Sequence, residues 1–420
     1  MIRWFLCIGA VLTSFQSWSQ ADNALTIEEC YSLAKQNYPL AKQKELIAKS
    51  KDYNLSNAAK GYLPQAGIYG SATLQSDVTQ IPVKIPGMTI EAPGKDQYKV
   101  YGEITQTVWD WGAINQQKKL LETNSEVDNQ KLDVELYKLK ERINQLFFGI
   151  LLLDAQMNLA GLLISDLQSA IKKTEAAVSN GIALPSSADA LRAELLKAEQ
   201  KAIELKYAKS GFSEMLGMFI NRPMDDKTIL VKPEIKLPKI DISRPEISLL
   251  ESQKKIFDAQ AKLLNAKNLP RIGIFVQGGY GRPALNMLNN EWDAYYIGGI
   301  RFSWPLTGFY TLRREKELLN INRSFLDVQK ENFLFNTNLL LKQQNTEITK
   351  LEELIIKDEE IVQLRTGIKN TSSAQLENGT ITVNDYIREV NAEDMAKQNL
   401  LLHRIQLIMA QYNYGVIAGD

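Results

Sequence analysis

The sequence is poor in the residues that build metal centres and disulfide frameworks. It has two cysteines, Cys7 and Cys30, and a single histidine, His403, in 420 residues. Cys7 lies in an expected N-terminal leader, and the one cysteine that would remain cannot form an internal disulfide. One cysteine and one histidine also supply too few ligands for a zinc site. Because no nucleophile motif or phosphate-binding loop is present either, the sequence predicts a protein that is not an enzyme and needs no cofactor.

Long hydrophobic runs and an excess of charge are also missing. The 49 basic residues balance the 49 acidic ones, which gives no reason to expect nucleic acid as a partner. Beyond the leader, the longest apolar run is about eight residues, from Leu146 to Leu153, whereas a membrane-spanning helix needs about 20. The sequence therefore predicts no transmembrane helix. Strands of a membrane barrel give a much weaker signal, and this test does not detect them.

Residues 1–21 have the pattern of a secretory signal peptide. Arg3 is followed by an apolar stretch from Trp4 to Leu12 and then by Ser- and Gln-rich residues that end at Ala21. A positive start, a short apolar core and a small-residue exit are typical of a cleaved leader. We therefore expect a mature, exported chain that begins near residue 22.

Three landmarks recur about 200 residues apart and in the same order, which indicates a duplication. Pro64 recurs as Pro270, Gly112 as Gly308, and the pair Asn180-Gly181 as Asn378-Gly379. The sequence predicts two tandem repeats, each with a helix, a strand pair, a long helix, a turn and a second helix. The predicted first repeat is 22–220, with strands at about 65–109 and helices at about 110–180 and 186–220. A proline-rich linker, 221–245, leads to the second repeat, 246–420, with strands at about 271–305 and helices at about 309–372 and 384–415.

The predicted strands alternate apolar residues with small or polar ones. Ile68, Val100, Ile274 and Ile300 each lie in such a stretch of about ten residues, as in transmembrane barrel strands. Aromatic residues cluster at the strand ends, as in the belts at a membrane interface, although aromatic residues favour any β-sheet. The predicted membrane-interface aromatics are Trp109, Trp111, Trp292, Tyr295, Tyr296 and Trp304.

The long helices carry a seven-residue apolar period. From Leu132 to Val178 the apolar positions alternate in steps of four and three, with Thr174 as the one polar member. In the second repeat, apolar residues recur every seven residues from Leu334 to Val362. Such heptads predict left-handed coiled coils. A plain soluble rod would show the same period, and the four barrel-like strands argue against it.

Four strands in one chain cannot close a membrane barrel. The smallest outer-membrane barrels have about eight strands, and an open edge in lipid leaves unpaired backbone groups that cost several kcal/mol each. The sequence therefore predicts an oligomer. A dimer would supply eight strands and a trimer twelve, and this argument does not choose between them.

Several short segments, spread along the mature chain, form a recognisable set. They are Leu25 to Ala34 with Asn37-Tyr38-Pro39, then Tyr62 to Gln65, Gln106 to Gly112, Arg244-Pro245-Glu246, Leu269-Pro270, and Trp304-Pro305-Leu306 with Gly308. Together they resemble the TolC-like outer-membrane efflux protein family. The resemblance covers nearly all of the mature chain. It implies a mainly α fold with membrane β: a homotrimer whose 12-stranded β-barrel, four strands per chain, continues into a long α-helical coiled-coil periplasmic tunnel.

The same resemblance implies a function. It indicates a passive channel in the cell outer membrane, extending into the periplasm, that belongs to a tripartite efflux or type I secretion system. The implied partners are outer-membrane lipid, a periplasmic adaptor (membrane fusion) protein and an inner-membrane pump that supplies the energy. The alternative hypothesis is a soluble periplasmic coiled-coil adaptor. Such a protein would normally have one helical hairpin within β-rich domains rather than a duplicated unit.

The two predicted hairpin turns share the pattern Ser/Thr-x-x-Asp-x-x-Arg. It begins at Ser186, with Asp189 and Arg192, and again at Thr382, with Asp385 and Arg388. One interpretation is helix capping with local ion pairs, in which Ser186 or Thr382 caps its helix. A second is that the two aspartates form acidic rings at a periplasmic entrance, which would favour cations.

The resemblance also implies polar links between neighbouring hairpins that close this entrance. In the family pattern a basic residue follows the glycine of the turn, but this chain has Ile381 near that place. The closing network is therefore expected to differ, with Arg192 or Arg388 as candidate substitutes.

Overall fold

The computed structural model describes residues 24–79, 92–225, 228–234 and 241–420. The expected leader at 1–21 and part of the expected linker lie outside these residues. The helices are α1 (Ile27–Asn37), α2 (Gln43–Ala59), α3 (Ala113–Tyr137), α4 (Leu139–Ser179), α5 (Pro185–Ile220), α6 (Pro245–Lys267), α7 (Phe309–Glu377) and α8 (Val383–Ala418). The strands are β1 (Ala24–Leu25), β2 (Gln65–Leu74), β3 (Asp96–Trp109), β4 (Ile229–Leu230), β5 (Arg271–Arg282) and β6 (Asp293–Ser303).

The helix expected at about 110–180 consists of α3 and α4, with Lys138 between them. Lys138 keeps helical dihedral angles, φ −60° and ψ −19°, and its N–H donates to the carbonyl of Val134 at 3.3 Å. The interruption is therefore one residue within an almost continuous helix.

Two glycines end the long helices in the same way. Gly181 and Gly379 adopt φ of 74° and 71°, which favours residues without a Cβ. The next residue then donates its N–H to a carbonyl five residues earlier, from Ile182 to Ala177 at 2.8 Å and from Thr380 to Gln375 at 2.9 Å. These are C-terminal caps of the Schellman type, and each ends a long helix and begins the turn that leads to the next helix.

The described residues divide into two compact units. Unit 1 comprises 24–37, 139–238 and 344–414, and unit 2 comprises 38–138, 239–343 and 415–420, each within the described ranges. Unit 2 holds the main sheet, in which the antiparallel strands lie in the order β2-β3-β5-β6. Helix α3 of this unit packs against both α2 and α6.

The register of this sheet brings the apolar residues of all four strands onto one face. Ile68 pairs with Gly102, which pairs with Gly278, which pairs with Tyr296. A bulge between Thr107 and Trp109 interrupts the alternation at the end of β3 and pairs Trp109 with Ile272 of the apolar face. The alternating faces predicted from the sequence therefore coincide across the sheet.

The apolar face of the sheet is also its exposed face. Ile68 is 84% exposed and Ile300 is 76% exposed, whereas Lys99, Glu103 and Gln277 on the other face are partly buried. Soluble antiparallel sheets pack their apolar face inward. The sheet is inverted relative to that rule, so its exposed face requires an apolar environment.

The core of unit 1 lies around the start of α4. Ile143, Phe147 and Phe148 are almost completely buried. The buried side chain of Asn144 donates to Asn413 on α8 at 2.8 Å and accepts from Tyr31 on α1. Buried polar groups need such partners, and these bonds join three helices of unit 1.

One helical stretch of the described chain has the length and composition of a membrane-spanning helix. It lies within Ala113–Ser179 and has a mean hydropathy of 1.8 over 18 residues. A search for continuous apolar runs does not detect this stretch, because isolated polar residues such as Asp154 break the run without much lowering the average hydropathy. Phe147 and Phe148 pack inside unit 1, and Asp154 pairs with Lys209 of α5 at 2.5 Å. The expectation of no transmembrane helix therefore stays a prediction.

Helix α7 has two apolar faces. The face with the predicted period, which includes Leu341 and Ile348, is buried or half-buried within the chain. A second seam, spaced by threes, fours and sevens, is exposed: Leu318, Ile321, Phe325, Val328, Phe335 and Leu339. None of the described residues covers this second seam, and a contiguous exposed apolar surface of this kind marks an interaction site.

Candidate functional site

The two hairpin turns lie side by side at one end of unit 1. An apolar cluster joins them, with Leu167 and Ile171 of α4, Leu191 of α5, and Val383, Tyr386 and Val390 of α8. Ile381, in the second turn, packs against the same cluster. The residue that stands where a basic side chain was expected is therefore part of an apolar contact between the hairpins.

The second turn is capped as one of the two interpretations predicts. The backbone N–H of Asp385 donates to the hydroxyl of Thr382 at 3.2 Å, and the N–H of Thr382 donates to the Asp385 carboxylate at 3.2 Å. This reciprocal pair is a capping box with Asp in the acidic position. Hydrogen bonds from the side chain and backbone of Thr382 lower the pKa of Asp385 below its usual value.

The first turn begins its helix differently, and the prediction that Ser186 caps α5 was wrong. The N-cap is Leu184, which makes no side-chain hydrogen bond, and Pro185 occupies the first helical position. Proline has no N–H to satisfy and its fixed φ suits the first turn. Ser186 is therefore already inside the helix, too late to act as the cap.

The two arginines of the shared pattern each form ion pairs within their own hairpin. Arg192 contacts Asp189 at 3.0 Å and reaches across the turn to Glu175 of α4 at 2.7 Å. The Glu175 carboxylate, followed by Asp189, raises the pKa of Arg192. Arg388 lies 3.6 Å from Asp385. Within the chain, neither arginine takes the place of the missing basic residue as a link between hairpins.

Lysines make that link instead. Lys173 of α4 contacts Glu377 of α7 at 2.6 Å, and Lys369 of α7 contacts Asp166 of α4 at 3.1 Å. The hydrogen bond to Glu377 raises the pKa of Lys173. Sequence reasoning missed both pairs, because each joins residues about 200 positions apart. The duplication was the only sequence signal for these pairs, because each lysine lies on the long helix that leads into the turn of its own repeat.

Lys369 also belongs to a buried polar network around Glu393 of α8. Glu393 is 4% exposed and lies 3.2 Å from Lys369 and 2.8 Å from Lys397. Its carboxylate also accepts a hydrogen bond from Thr366 at 2.8 Å. Burial alone would raise the pKa of Glu393, but the hydrogen bonds from Lys397 and Thr366 and the charge of Lys369 hold it below the usual value.

A cleft of about 840 Å³ lies between the two turns, with Lys173, Lys369, Asp166, Ile381 and Tyr386 in its walls. No group of three or more His, Cys, Asp or Glu side chains able to hold a metal occurs among the described residues. The arrangement provides paired charges and a contact between hairpins. It brings together no set of groups for acid–base or nucleophilic chemistry.

The predicted interface aromatics occupy both ends of the sheet. Trp109 and Trp111 pack edge to face with ring centroids 5.8 Å apart at the end that leads into α3, and the ring nitrogen of Trp304 donates to the carbonyl of Asn268 at 3.1 Å. At the other end Trp292 stacks on Tyr98 and Tyr280, with centroids 6.0 and 5.6 Å away.

The two neighbouring tyrosines of β6 lie on opposite faces. Tyr296 is 82% exposed on the apolar face. Tyr295 pairs with Gly279, which pairs with Tyr101 on the polar face. Because side chains alternate along a strand, both could not belong to one belt, and Tyr295 departs from the predicted set.

Comparison with solved structures finds the same fold in outer-membrane channels. The outer membrane protein VceC of Vibrio cholerae has a TM-score of 0.65 at 14% identity, over 94% of this chain and 96% of that one. The open state of the MtrE outer membrane channel of Neisseria gonorrhoeae has a TM-score of 0.63 at 14% identity, over 94% and 89%. The CmeC outer membrane channel of Campylobacter jejuni has a TM-score of 0.60 at 13% identity, over 93% and 86%. No protein-family model and no curated protein matches the sequence.

Proposed function

We propose that this chain, which has the fold of the TolC-like outer-membrane efflux channels, is one protomer of a passive channel in the outer membrane. Substrates would pass from a periplasmic adaptor and an inner-membrane pump through the channel to the outside. The pump would supply the energy, and the chain itself would perform no chemistry. A tripartite efflux system and a type I secretion system would use the same duct.

The observation that carries this proposal is the inverted sheet of unit 2. Its exposed face is apolar and its partly buried face is polar, which is the arrangement of a strand wall between lipid and an aqueous lumen. From Tyr98 to Trp109, aromatic residues bound a stretch that, because of the bulge, matches the ten residue steps from Arg282 to Ile272 on the partner strand, or about 33 Å at ~3.3 Å each. At a tilt of about 40° this length covers roughly 25–30 Å, the height of an outer-membrane apolar band.

The sheet also argues for an oligomer. Strands β2 and β6 each have one partner among the described strands, and lipid tolerates no unpaired strand edge. We propose a homotrimer that pairs β6 of one chain with β2 of the next to close twelve strands. The exposed seam of α7 would pack against the neighbouring protomer. A soluble periplasmic adaptor would leave the apolar face of the sheet in water.

We further propose that the chain consists of two tandem repeats, 22–220 and 246–420, joined by the 221–245 linker. The matched glycine caps at Gly181 and Gly379 support the duplication, because they occupy equivalent turns. The helices from both repeats would form the wall of a periplasmic tunnel, and the hairpin turns its entrance.

At that entrance, Asp189 and Asp385 would form acidic rings, and the lysine pairs would fasten the two hairpins of one protomer to each other. Lys173 and Lys369 would take the part for which Arg192 and Arg388 were candidates. Replacing both lysines with methionine should loosen the hairpins and raise the open probability of the channel. Replacing Lys44 and Lys51 of α2, two exposed lysines far from the turns in sequence, with methionine provides a charge-matched control.

The proposal is tested by fractionation and by conductance. The full-length chain should remain in the outer-membrane fraction after alkaline washing, require detergent for solubility, and migrate as a trimer. Purified protein in planar bilayers should produce discrete conductance steps. A water-soluble monomer released by salt would support the adaptor alternative and contradict the channel.

A further inference from the structure

The polar face of the unit 2 sheet carries charges at both ends, and they are distributed unevenly. At the end near the β5–β6 loop, Lys99 and Asp293 both pair with Gly281 and so lie at the same level. The charges of this one basic and one acidic residue cancel at that end. Strand β2 contains no charged residue, so the remaining charges of this face lie at mid-strand and at the other end.

The helix-proximal end carries two arginines. Arg301 pairs with Gly273, and Arg271 pairs with Ser303, so the two arginines lie on adjacent strands, one alternation apart on the same face. The nearest acidic residue on this face of the described strands is Glu103, which pairs with Gln277 at mid-strand. Asp110 is close in sequence, but it is buried and accepts the N–H groups of Gly112 and Ile114 at 2.9 and 2.8 Å.

The local contacts leave the arginine exposed and cover the carboxylate. Arg301 donates to Glu103 at 2.9 Å, and its guanidinium lies 4.5 Å from the ring centroid of Phe275. The Arg301 side chain is 50% exposed, whereas the Glu103 side chain is 14% exposed. The contact with the carboxylate and the stacking on the ring fix the direction of the guanidinium, and the group that water reaches is cationic.

We propose that Arg301 and Arg271 form a basic collar around the lumen where the barrel meets the helices, and that this collar favours the passage of anions. This inference rests on the proposed function, because a collar requires the closed barrel. Each chain contributes two arginines and one covered carboxylate, a net charge of +1. Three chains place about three excess positive charges around one level of the pore, and rings of basic side chains favour anions.

The size of the effect follows from simple electrostatics. Three unit charges about 10 Å from the axis of an aqueous pore, screened with a Debye length of ~10 Å at 0.1 M salt, change the relative permeability of a monovalent ion by about twofold. At 0.01 M salt the Debye length is ~30 Å, so the same substitutions should have a larger effect.

The test measures the reversal potential of the reconstituted full-length channel in a potassium chloride gradient. Arg301→Gln and Arg271→Gln should each raise the K⁺/Cl⁻ permeability ratio by about fourfold at 0.1 M salt, because the permeability of K⁺ rises about twofold while that of Cl⁻ falls about twofold. Glu103→Gln should lower the ratio, because it leaves both arginines uncompensated. Arg301→Lys keeps the charge and should leave the ratio near that of the unmodified channel. Each variant is first checked for trimer resistance to SDS.

The outcomes separate the collar from the channel. Normal conductance steps with unchanged reversal potentials in all three neutralised variants would overturn the collar and leave the channel intact. A shift in the same direction for Arg301→Gln and Glu103→Gln would also overturn it, because electrostatics requires opposite signs. Folded wild-type trimers without conductance steps would contradict the proposed function itself.

Discussion

Glu393 offers the sharpest test of how the hairpins are held together. Its carboxylate is buried and receives three donors, from Thr366, Lys369 and Lys397. Glu393→Gln keeps the shape but removes the charge and replaces one acceptor oxygen with a donor. Hydrogen bonds to charged groups contribute about 1.5–3 kcal/mol, and breaking a buried ion pair costs about 3–5 kcal/mol. Because Lys369 keeps Asp166 and Lys397 is partly hydrated, we expect a loss near the lower end, about 2 kcal/mol.

Hydrogen exchange of the α8 backbone amides measures this loss locally. A loss of about 2 kcal/mol in local opening free energy corresponds to roughly thirtyfold faster exchange around residue 393. The matched control is Glu359→Gln, which breaks another α7–α8 ion pair, with Arg404 at 2.6 Å, whose two side chains are about half exposed. An exposed pair contributes about 1 kcal/mol or less. Exchange in Glu393→Gln no faster than in the control would refute the view that the buried network holds α8 in place.

Three further outcomes follow from the capping, the titration and the sheet. Thr382→Ala should destabilise the start of α8 by about 1 kcal/mol and Ser186→Ala should change α5 little, so amide exchange should become faster at the start of α8 and stay unchanged at the start of α5. The lowered pKa of Glu393 contributes stability that is complete above its usual value of 4.5 and is lost as the pH falls through the lower folded value; an acid titration followed by circular dichroism checks the sign, and Glu393→Gln should abolish this component. Val276→Arg, on the apolar face at mid-strand, should cost about 2–4 kcal/mol of the stability of the folded protein in the membrane. Gln277→Arg, on the polar face, should be tolerated. Equal losses of SDS-resistant trimer in the two variants would refute the assignment of faces.

The sequence predicts the faces of the strands but not their register. A period of two assigns Ile68 and Ile300 to the apolar side without any knowledge of their partners. The row that joins Ile68, Gly102, Gly278 and Tyr296 depends on pairing between distant strands and on a bulge near Trp109. The strand pairing and the bulge depend on cross-strand packing, and the local sequence pattern carries no information about that packing.

At the hairpin turns, local chemistry was predictable and long-range chemistry was not. The capping box at Thr382 follows from a four-residue pattern, while Pro185 moved the start of α5 one residue ahead of Ser186. The pair between Lys173 and Glu377 joins positions 204 apart, and no local pattern identifies such partners. The exposed seam of α7 was missed for a related reason, since polar Asn332 occupies the place where the apolar spacing would continue.

The open edges of the sheet have a consequence for how the protein is made. In the proposed homotrimer, no single copy satisfies the backbone of β2 and β6 or shelters the side chains that lie between them. We therefore expect unassembled protomers to be short-lived unless a chaperone shields them. The yield of assembled channels should depend steeply on the concentration of protomers. Halving the supply of such a chain would then reduce finished channels by more than half.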